Sequence, residues 1–505
     1  MKLIVLILYF AILIGIGFYC RKKSTDVNSF VLGGRNVGPW LTAFSYGTSY
    51  FSAVIFVGYA GQFGWKFGLS STWIGIGNAI IGSLLAWIIL GKRTRTMSQH
   101  LNSSTMPEFF GNRFNSNALK ICASVIIFVF MIPYTASLYN GLSRLFGMAF
   151  NIDYSVCIIL MTVLTAIYVT AGGYMATAIN DFIQGLIMLF GIVIIIVAVL
   201  KTQGGISQAF EDMKAVQDVS AGVTNGEFAS VFGPDVMGLM FVVLLTSLGT
   251  WGLPQMVQKF YAITDEKAIF KGTVISTVFA LIVAGGCYFL GGFGRLIADN
   301  PNIYNAEGKV IYDAIVPEML STLSPALIAL VVILVLSASM STLSALVFTS
   351  SSTLTIDFLK GNFIKEMSQA KQVRCIRVFI VVFIVISAVI ALIQYNSSVT
   401  FIAQLMGISW GAMAGAFLAP FMFSLYSKKI TSASCWVCFI FSTVLMILNM
   451  TARQYFPEIL QSPINCGVFA MVSGFIIVPV VSSFTKKQDS ETLSHIFKCY
   501  EHSYK

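Results

Sequence analysis

Long apolar runs recur from one end of the chain to the other, separated by short polar stretches. Runs of this length read as helices that cross a bilayer. The pattern predicts thirteen, at about 3–20, 40–64, 70–91, 120–148, 154–172, 182–200, 236–253, 272–292, 324–349, 377–395, 401–425, 432–450 and 465–484. Arg21, Lys22 and Lys23 follow the first run at once. A cleaved signal peptide carries its charge in front and small residues behind. The reversed order predicts a retained helix with its N-terminus outside.

Composition sharpens this picture. Of 505 residues, 57% are hydrophobic and only 10% charged, against about 25% charged in soluble proteins. A soluble surface cannot be built from that supply, which excludes soluble enzymes, nucleic-acid binders and disordered scaffolds. The net charge of +10 fits basic cytoplasmic loops. With the N-terminus outside, 23 of the 31 Lys and Arg residues fall in inside segments and 8 in outside ones, as the positive-inside rule requires. An odd number of spans puts the C-terminus inside. The longest outside loops, 201–235 and 293–323, and the tail 485–505 leave no room for a folded soluble module. The chain carries no phosphate-loop motif for an ATP-driven engine. Cys435 and Cys438 form a C-x-x-C inside an apolar stretch and read as buried thiols. His100, His495 and His502 all fall outside the spans.

Two spans differ from plain Leu/Ile/Val/Phe helices. The second crowds Ser45, Gly47, Thr48, Ser49 and Ser52 at mid-depth, and the seventh gathers Gly249, Gly252 and Pro254. Such residues let a helix unwind. Carbonyls freed within a membrane must face a cavity or an ion. The two segments lie five spans apart, and because five is odd the second half enters from the opposite side. That is the pattern of an inverted repeat around a midplane site. It divides one transport domain, 1–505, into a leading helix (3–20), repeats at 40–200 and 236–425, two further helices (432–484) and the tail. Small-residue patterns also serve plain helix packing; matching positions in both halves favour a transport site.

In the ninth span Ala338, Ser341 and Thr342 share one helix face. Two hydroxyls and a carbonyl supply half an oxygen cage for a small hard cation, and carbonyls of the broken second span could supply the rest. The alternative is hydroxyls bonding back to their own helix. Almost none of the 21 acidic residues lies at mid-depth, whereas proton coupling generally needs a carboxylate or histidine there. Neutral oxygens suit Na⁺. Asp181 is the nearest exception, and its ordinary role would be a helix cap together with Asn180.

The stretches Phe30–Arg35, Ala171-Gly-Gly-Tyr-Met-Ala-Thr-Ala-Ile-Asn-Asp-Phe-Ile-Gln-Gly185, Gly252-Leu-Pro254 and Met340-Ser-Thr-Leu-Ser344 resemble the sodium/solute symporter family over essentially the whole chain. That family includes proline, pantothenate and sugar cotransporters. The resemblance implies an all-helical LeuT-type fold with one extra helix before a five-plus-five core and two after it. It implies a Na⁺ site formed by the carbonyls of Thr48, Phe51 and Ala338 and the hydroxyls of Ser341 and Thr342. Some members hold a second Na⁺ nearer the cytoplasm; Asp181 and Ser344 match that site, while the next position, serine in such members, is Ala345. The family pocket maps to Tyr50, Ser52, Thr246, Thr250, Trp251 and Gln404. Tyr50 stands where the proline-type member has Asp. A polyol would leave many hydroxyls unpaired in so uncharged a lining.

The expected function is therefore Na⁺-driven import of a small organic solute across the plasma membrane, most simply a monocarboxylate such as pantothenate or an amino acid. The partners are that solute and the bilayer, with no nucleic acid and no obligatory protein partner, and no enzymatic activity is expected. A sensor or signalling subunit on the same fold is one alternative. A symporter for a sugar or another organic anion is a second, and a passive channel a third.

Overall fold

The structure, a computed structural model, describes residues 2–21, 26–150, 152–219, 222–224, 226–360, 362–364, 366–396 and 402–501. Among them the chain is helical nearly throughout, with only isolated bridges such as that of Val37 to Ile263. Among the described residues each of the thirteen expected segments is largely helical, with the second interrupted at Phe51 and Ser52. By length and apolar composition alone, nine helices among the described residues can cross a membrane, or ten if one bent pair is a single span.

Part of the difference from thirteen lies in how the chain turns. The continuous helical stretch Val54–His100 has 47 residues, about 70 Å at 1.5 Å per residue, against a hydrocarbon core of about 30 Å. Gly68 interrupts it at φ 63° and ψ −141°, a conformation that glycine adopts without steric cost. Gly47 lies against Phe279 and Gly64 against Gly291, so the chain first runs along Glu266–Gly292 in the same direction. Beyond the turn Gly75 meets Gly285 and Trp87 meets Gly272, so it returns along the same helix. Gly173, at φ 64° and ψ −168°, makes a similar break inside Tyr154–Thr202.

The leading helix Lys2–Arg21 packs where Gly17 meets Gly172. Asn180 there donates to Leu13 O, and Gln184 to the Tyr9 hydroxyl. The C-terminal helices Ser432–Thr451 and Pro463–Phe484 pack on Ile402–Tyr426 through close pairs such as Gly411 with Gly467. Cys435 and Cys438 are buried thiols, and Cys438 Sγ donates to Gly415 O.

Two sequence expectations are corrected here. The seventh span does not stop near residue 253 but continues as Pro254–Ala262. Lys259, which the expected bounds 236–253 and 272–292 leave in an inside loop, is therefore buried at 3% exposure. Asp181 is not a helix cap: the helix carrying it begins near Gly172, more than two turns earlier.

Candidate functional site

The first broken helix starts at Pro39, which suits the first helical turn, and ends at Tyr50. Phe51 is extended at φ −87° and ψ 116°. The chain resumes helical geometry at Ala53, whose N–H donates to Ser339 Oγ at 3.2 Å, while the Val54 N–H donates to Ser52 Oγ at 3.2 Å. The break frees carbonyls, and these meet Pro325–Thr353, the helix of the ninth span. Ser341 Oγ lies 3.1 Å from Thr48 O and 3.0 Å from Ala338 O. Thr342 Oγ1 lies 3.0 Å from Thr48 O, 3.2 Å from Phe51 O and 3.1 Å from Ala338 O. Ser341 Oγ also lies 2.9 Å from Ser337 O in its own helix, so two hydroxyl protons face four carbonyl oxygens with two lone pairs each. These residues are all buried, and Thr48 Oγ1 has no partner among the described residues. Oxygen crowded in this way, out of water, attracts a cation.

The second broken helix is Val236–Ser247, a tight turn Leu248–Gly252 and Pro254–Ala262, bent by 47°. Here the loose groups are met locally. Thr250 Oγ1 donates to Ser247 O at 2.7 Å, and the Leu253 N–H to Thr250 O at 3.2 Å. Pro254 has no N–H to satisfy. Trp251 Nε1 donates to Ile81 O at 2.9 Å, and the Asn78 carboxamide meets Ser247 and Thr246. Gly252 touches the backbone of Ala414 and Leu418, leaving no room for a side chain.

The residues expected to line the solute pocket divide accordingly. Tyr50 and Ser52 sit at the first break; the Tyr50 hydroxyl is buried and unpartnered among the described residues. Thr246, Thr250 and Trp251 sit at the second and lean on residues 78–82; Tyr46 Oη joins them by donating to Gly82 O at 2.8 Å. All five are 5% exposed or less. Gln404 is partly exposed and is engaged by Arg453 Nη1 at 3.4 Å. Ser344 Oγ donates to Ser341 O in its own helix at 2.9 Å. Asp181, fully buried, accepts from Ser45 Oγ, one turn from Thr48.

With this geometry in place, comparison with known proteins is direct. The sodium:solute symporter family matches residues 30–441. The chain belongs to that family. Among characterised relatives, this symporter is 28% identical to the osmoregulated proline transporter OpuE of Bacillus subtilis, over 98% of this chain and 96% of the relative. It is 30% identical to the sodium/proline symporter of Staphylococcus aureus, over 96% and 93%. Among solved structures it resembles a Na⁺-coupled sialic acid symporter in a substrate-bound outward-open state, with TM-score 0.78, 19% identity and coverage of 97% and 98%. It also resembles Mhp1, a nucleobase-cation-symport-1 family transporter, with TM-score 0.51, 13% identity and coverage of 94% and 98%. The symporter is thus an integral membrane protein of LeuT-type fold that couples a small solute to Na⁺; it is a transporter and not an enzyme.

Several residues around the breaks were not singled out from sequence. Ser339 caps the resumed first helix from the ninth-span helix. Gln255 is fully buried, and neither end of its amide has a partner among the described residues. Lys259 lies with its Nζ 4.0 Å from Asp181 Oδ2 and 5.1 Å from the centre of the Tyr174 ring. The signal was available for Lys259 alone: a charge five residues beyond a helix-breaking Pro254 stays within the span if the broken helix continues.

Beneath the breaks, the interior is sealed by backbone pairing. The Val37 N–H donates to Ala262 O, and the Thr264 N–H to Val37 O, both at 3.1 Å. Arg35 donates to Ser103 O at 2.6 Å and to Tyr261 O at 3.3 Å. These contacts tie the start of the first broken helix to the end of the second.

Proposed function

We propose that this symporter imports a small monocarboxylate of amino-acid type, driven by Na⁺ held by the hydroxyls of Ser341 and Thr342 and the carbonyls of Thr48, Phe51 and Ala338. The convergence of those five oxygens at 3.0–3.2 Å carries the reading. The solute sits between the breaks, on Tyr50, Ser52, Thr246, Thr250 and Trp251. Its apolar body lies against Tyr50 and Trp251. Its carboxylate takes the N–H groups of the resumed first helix, where helix polarity favours negative charge. Ser339 and Ser52 hold those N–H groups when no solute is bound, so solute binding competes with two neutral hydrogen bonds. Gln404 is a rim residue that meets the solute on entry. The proline-transporting relatives support the amino-acid class, and Tyr50, lacking a charge, favours a solute whose recognition rests on its carboxylate.

In this reading the N-terminus lies outside, the C-terminus lies inside, and the protein works in the plasma membrane. Repeats 40–200 and 236–425 rock about the two breaks to open the site to each side in turn. Asp181 and Ser344 lie on the cytoplasmic side of the Na⁺ ligands and mark the ion's exit.

The test is uptake by purified protein in proteoliposomes of labelled proline, other amino acids, pantothenate, a sialic acid and a hexose, with and without an inward Na⁺ gradient at one pH. Na⁺-dependent uptake of an amino acid, competed by its close analogues, is expected. Uptake of the hexose alone, or full uptake driven by a pH gradient without Na⁺, overturns the proposal.

A further inference from the structure

Lys259 is a cation buried among membrane helices, and the ion cage above does not use it. Its side chain is 4% exposed and faces Asp181, itself 1% exposed, at 4.0 Å. That is longer than the roughly 2.7–2.9 Å of a charge-assisted hydrogen bond. The ammonium has no hydrogen bond among the described residues, and the centre of the Tyr174 ring, on the same helix as Asp181, lies 5.1 Å away. Of the Asp181 oxygens, Oδ2 is taken by Ser45, and Oδ1 is fully buried with no partner among the described residues. The carboxylate thus retains an open coordination position in the interior, and its nearest positive charge stands off at a distance. The two charges also sit on different parts. Asp181 is on the long helix Gly172–Thr202, and Lys259 is on Pro254–Ala262, the half of the second broken helix beyond the bend.

We propose that the Lys259 ammonium is the resident counter-charge of Asp181 in the ion-free carrier and is displaced toward Tyr174 when Na⁺ passes Oδ1. An aromatic face can hold a cation that has lost its carboxylate, so the ammonium keeps a favourable position in both states. A buried carboxylate without a counter-ion is costly. The ammonium therefore lets the empty carrier reorient, and it competes with Na⁺ for the same carboxylate. The inference rests on the reading of Asp181 as a station on the ion's route. It does not depend on which solute is carried or on the hydroxyl ligands.

The experiment compares two transport modes in proteoliposomes for wild type, Lys259→Met and Lys259→Arg. Counterflow, with saturating Na⁺ and solute on both sides, needs no empty-carrier return; net uptake down a Na⁺ gradient does. Lys259→Met is expected to keep counterflow within about twofold and to lose at least about fivefold in net uptake. Its half-saturating Na⁺ concentration falls, because the competitor is gone. Lys259→Arg is expected to keep net uptake and to raise half-saturating Na⁺ about threefold, because a guanidinium pairs with a carboxylate through two hydrogen bonds. Opposite shifts in Na⁺ dependence are not produced by a packing defect. If Lys259→Met loses counterflow and net uptake together, or transports at native rate with native Na⁺ dependence, the proposal is wrong. Should Lys259→Met fail to insert, Lys259→Arg decides: an unchanged half-saturating Na⁺ concentration overturns it. Altered Na⁺ dependence in the Lys259 variants alongside native behaviour of Ser341→Ala and Thr342→Ala would sink the cage assignment and leave this one standing.

Discussion

The two broken helices answer the same problem in opposite ways. Each must place backbone groups that a continuous helix would have bonded. At the first break the freed carbonyls of Thr48 and Phe51 are met from across the molecule by Ser341 and Thr342. At the second, Thr250 and a tight turn close the gap from within, and Pro254 removes a donor. The difference is one of stoichiometry. Carbonyl oxygens outnumber hydroxyl protons at the first break, and that deficit is what a cation can fill. The second break bends by 47°. On the proposed reading the first break is the ligand cage and the second a hinge, although sequence alone makes them look like equivalent copies.

The largest effect should come from removing both hydroxyls. A hydrogen bond to a charged partner is worth roughly 1.5–3 kcal/mol. Ser341→Ala or Thr342→Ala alone should therefore raise half-saturating Na⁺ about tenfold or more, and the double variant more than about a hundredfold, with membrane insertion near normal. Native Na⁺ dependence of uptake in the double variant would erase the distinction between the two breaks. Next in size is Gly252→Val. Even a Cβ at this position would lie 2.9 Å from Leu418 N and 3.0 Å from Ala414 Cα. Overpacking of this kind costs about 1–3 kcal/mol, so a lower unfolding temperature in detergent is expected, together with slow transport.

A third prediction concerns the resumed part of the first broken helix, where Asp313 Oδ1 lies near Gly58 and Oδ2 accepts weakly from the Ile402 N–H at 3.5 Å. Burial pushes the Asp313 carboxyl up to about 6, against the opposing influence of Arg144 and the Ile402 N–H. The folded protein therefore holds this proton more tightly than the unfolded chain does. The group's contribution to stability is fully present below about pH 4 and is lost as pH rises through about 6. A shift of this size is worth of order 1–3 kcal/mol. Asp313→Asn should flatten the dependence of unfolding temperature between pH 4 and 7, and an unchanged slope would assign that dependence to other groups.

Asp181→Asn should have a smaller effect, because Asn still fits the site beside Ser45. Losing the charge should slow net uptake about fivefold, equivalent to about 1 kcal/mol of barrier, with normal protein levels. Native rate and native Na⁺ dependence would remove Asp181 from the ion's route. The smallest effect belongs to the hinge: Thr250→Val should leave half-saturating Na⁺ within about twofold. A shift as large as that of Thr342→Ala would mean that both breaks hold the ion.

Much of this was legible in the chain itself. Apolar runs of spanning length placed the helices, because lipid accepts little else. Gly, Ser and Pro clusters at 45–52 and 249–254 located both breaks, because those residues weaken a helix wherever they stand. The spacing of Ala338, Ser341 and Thr342 put them on one face, because helix periodicity is local. Three-dimensional contacts decided the rest. Whether the second break ended its span or bent it depended on how Pro254–Ala262 packed, and that packing carried Lys259 from an expected loop into the interior. The position of Gly173 moved Asp181 from a helix end to mid-helix. Ser45, at one end of the chain's first half, and Lys259, well into its second, meet at Asp181 only because three helices converge there. Local sequence sets which conformations each segment can adopt. Which charges and carbonyls face one another is a property of long-range packing, and in this symporter that packing makes the two breaks differ.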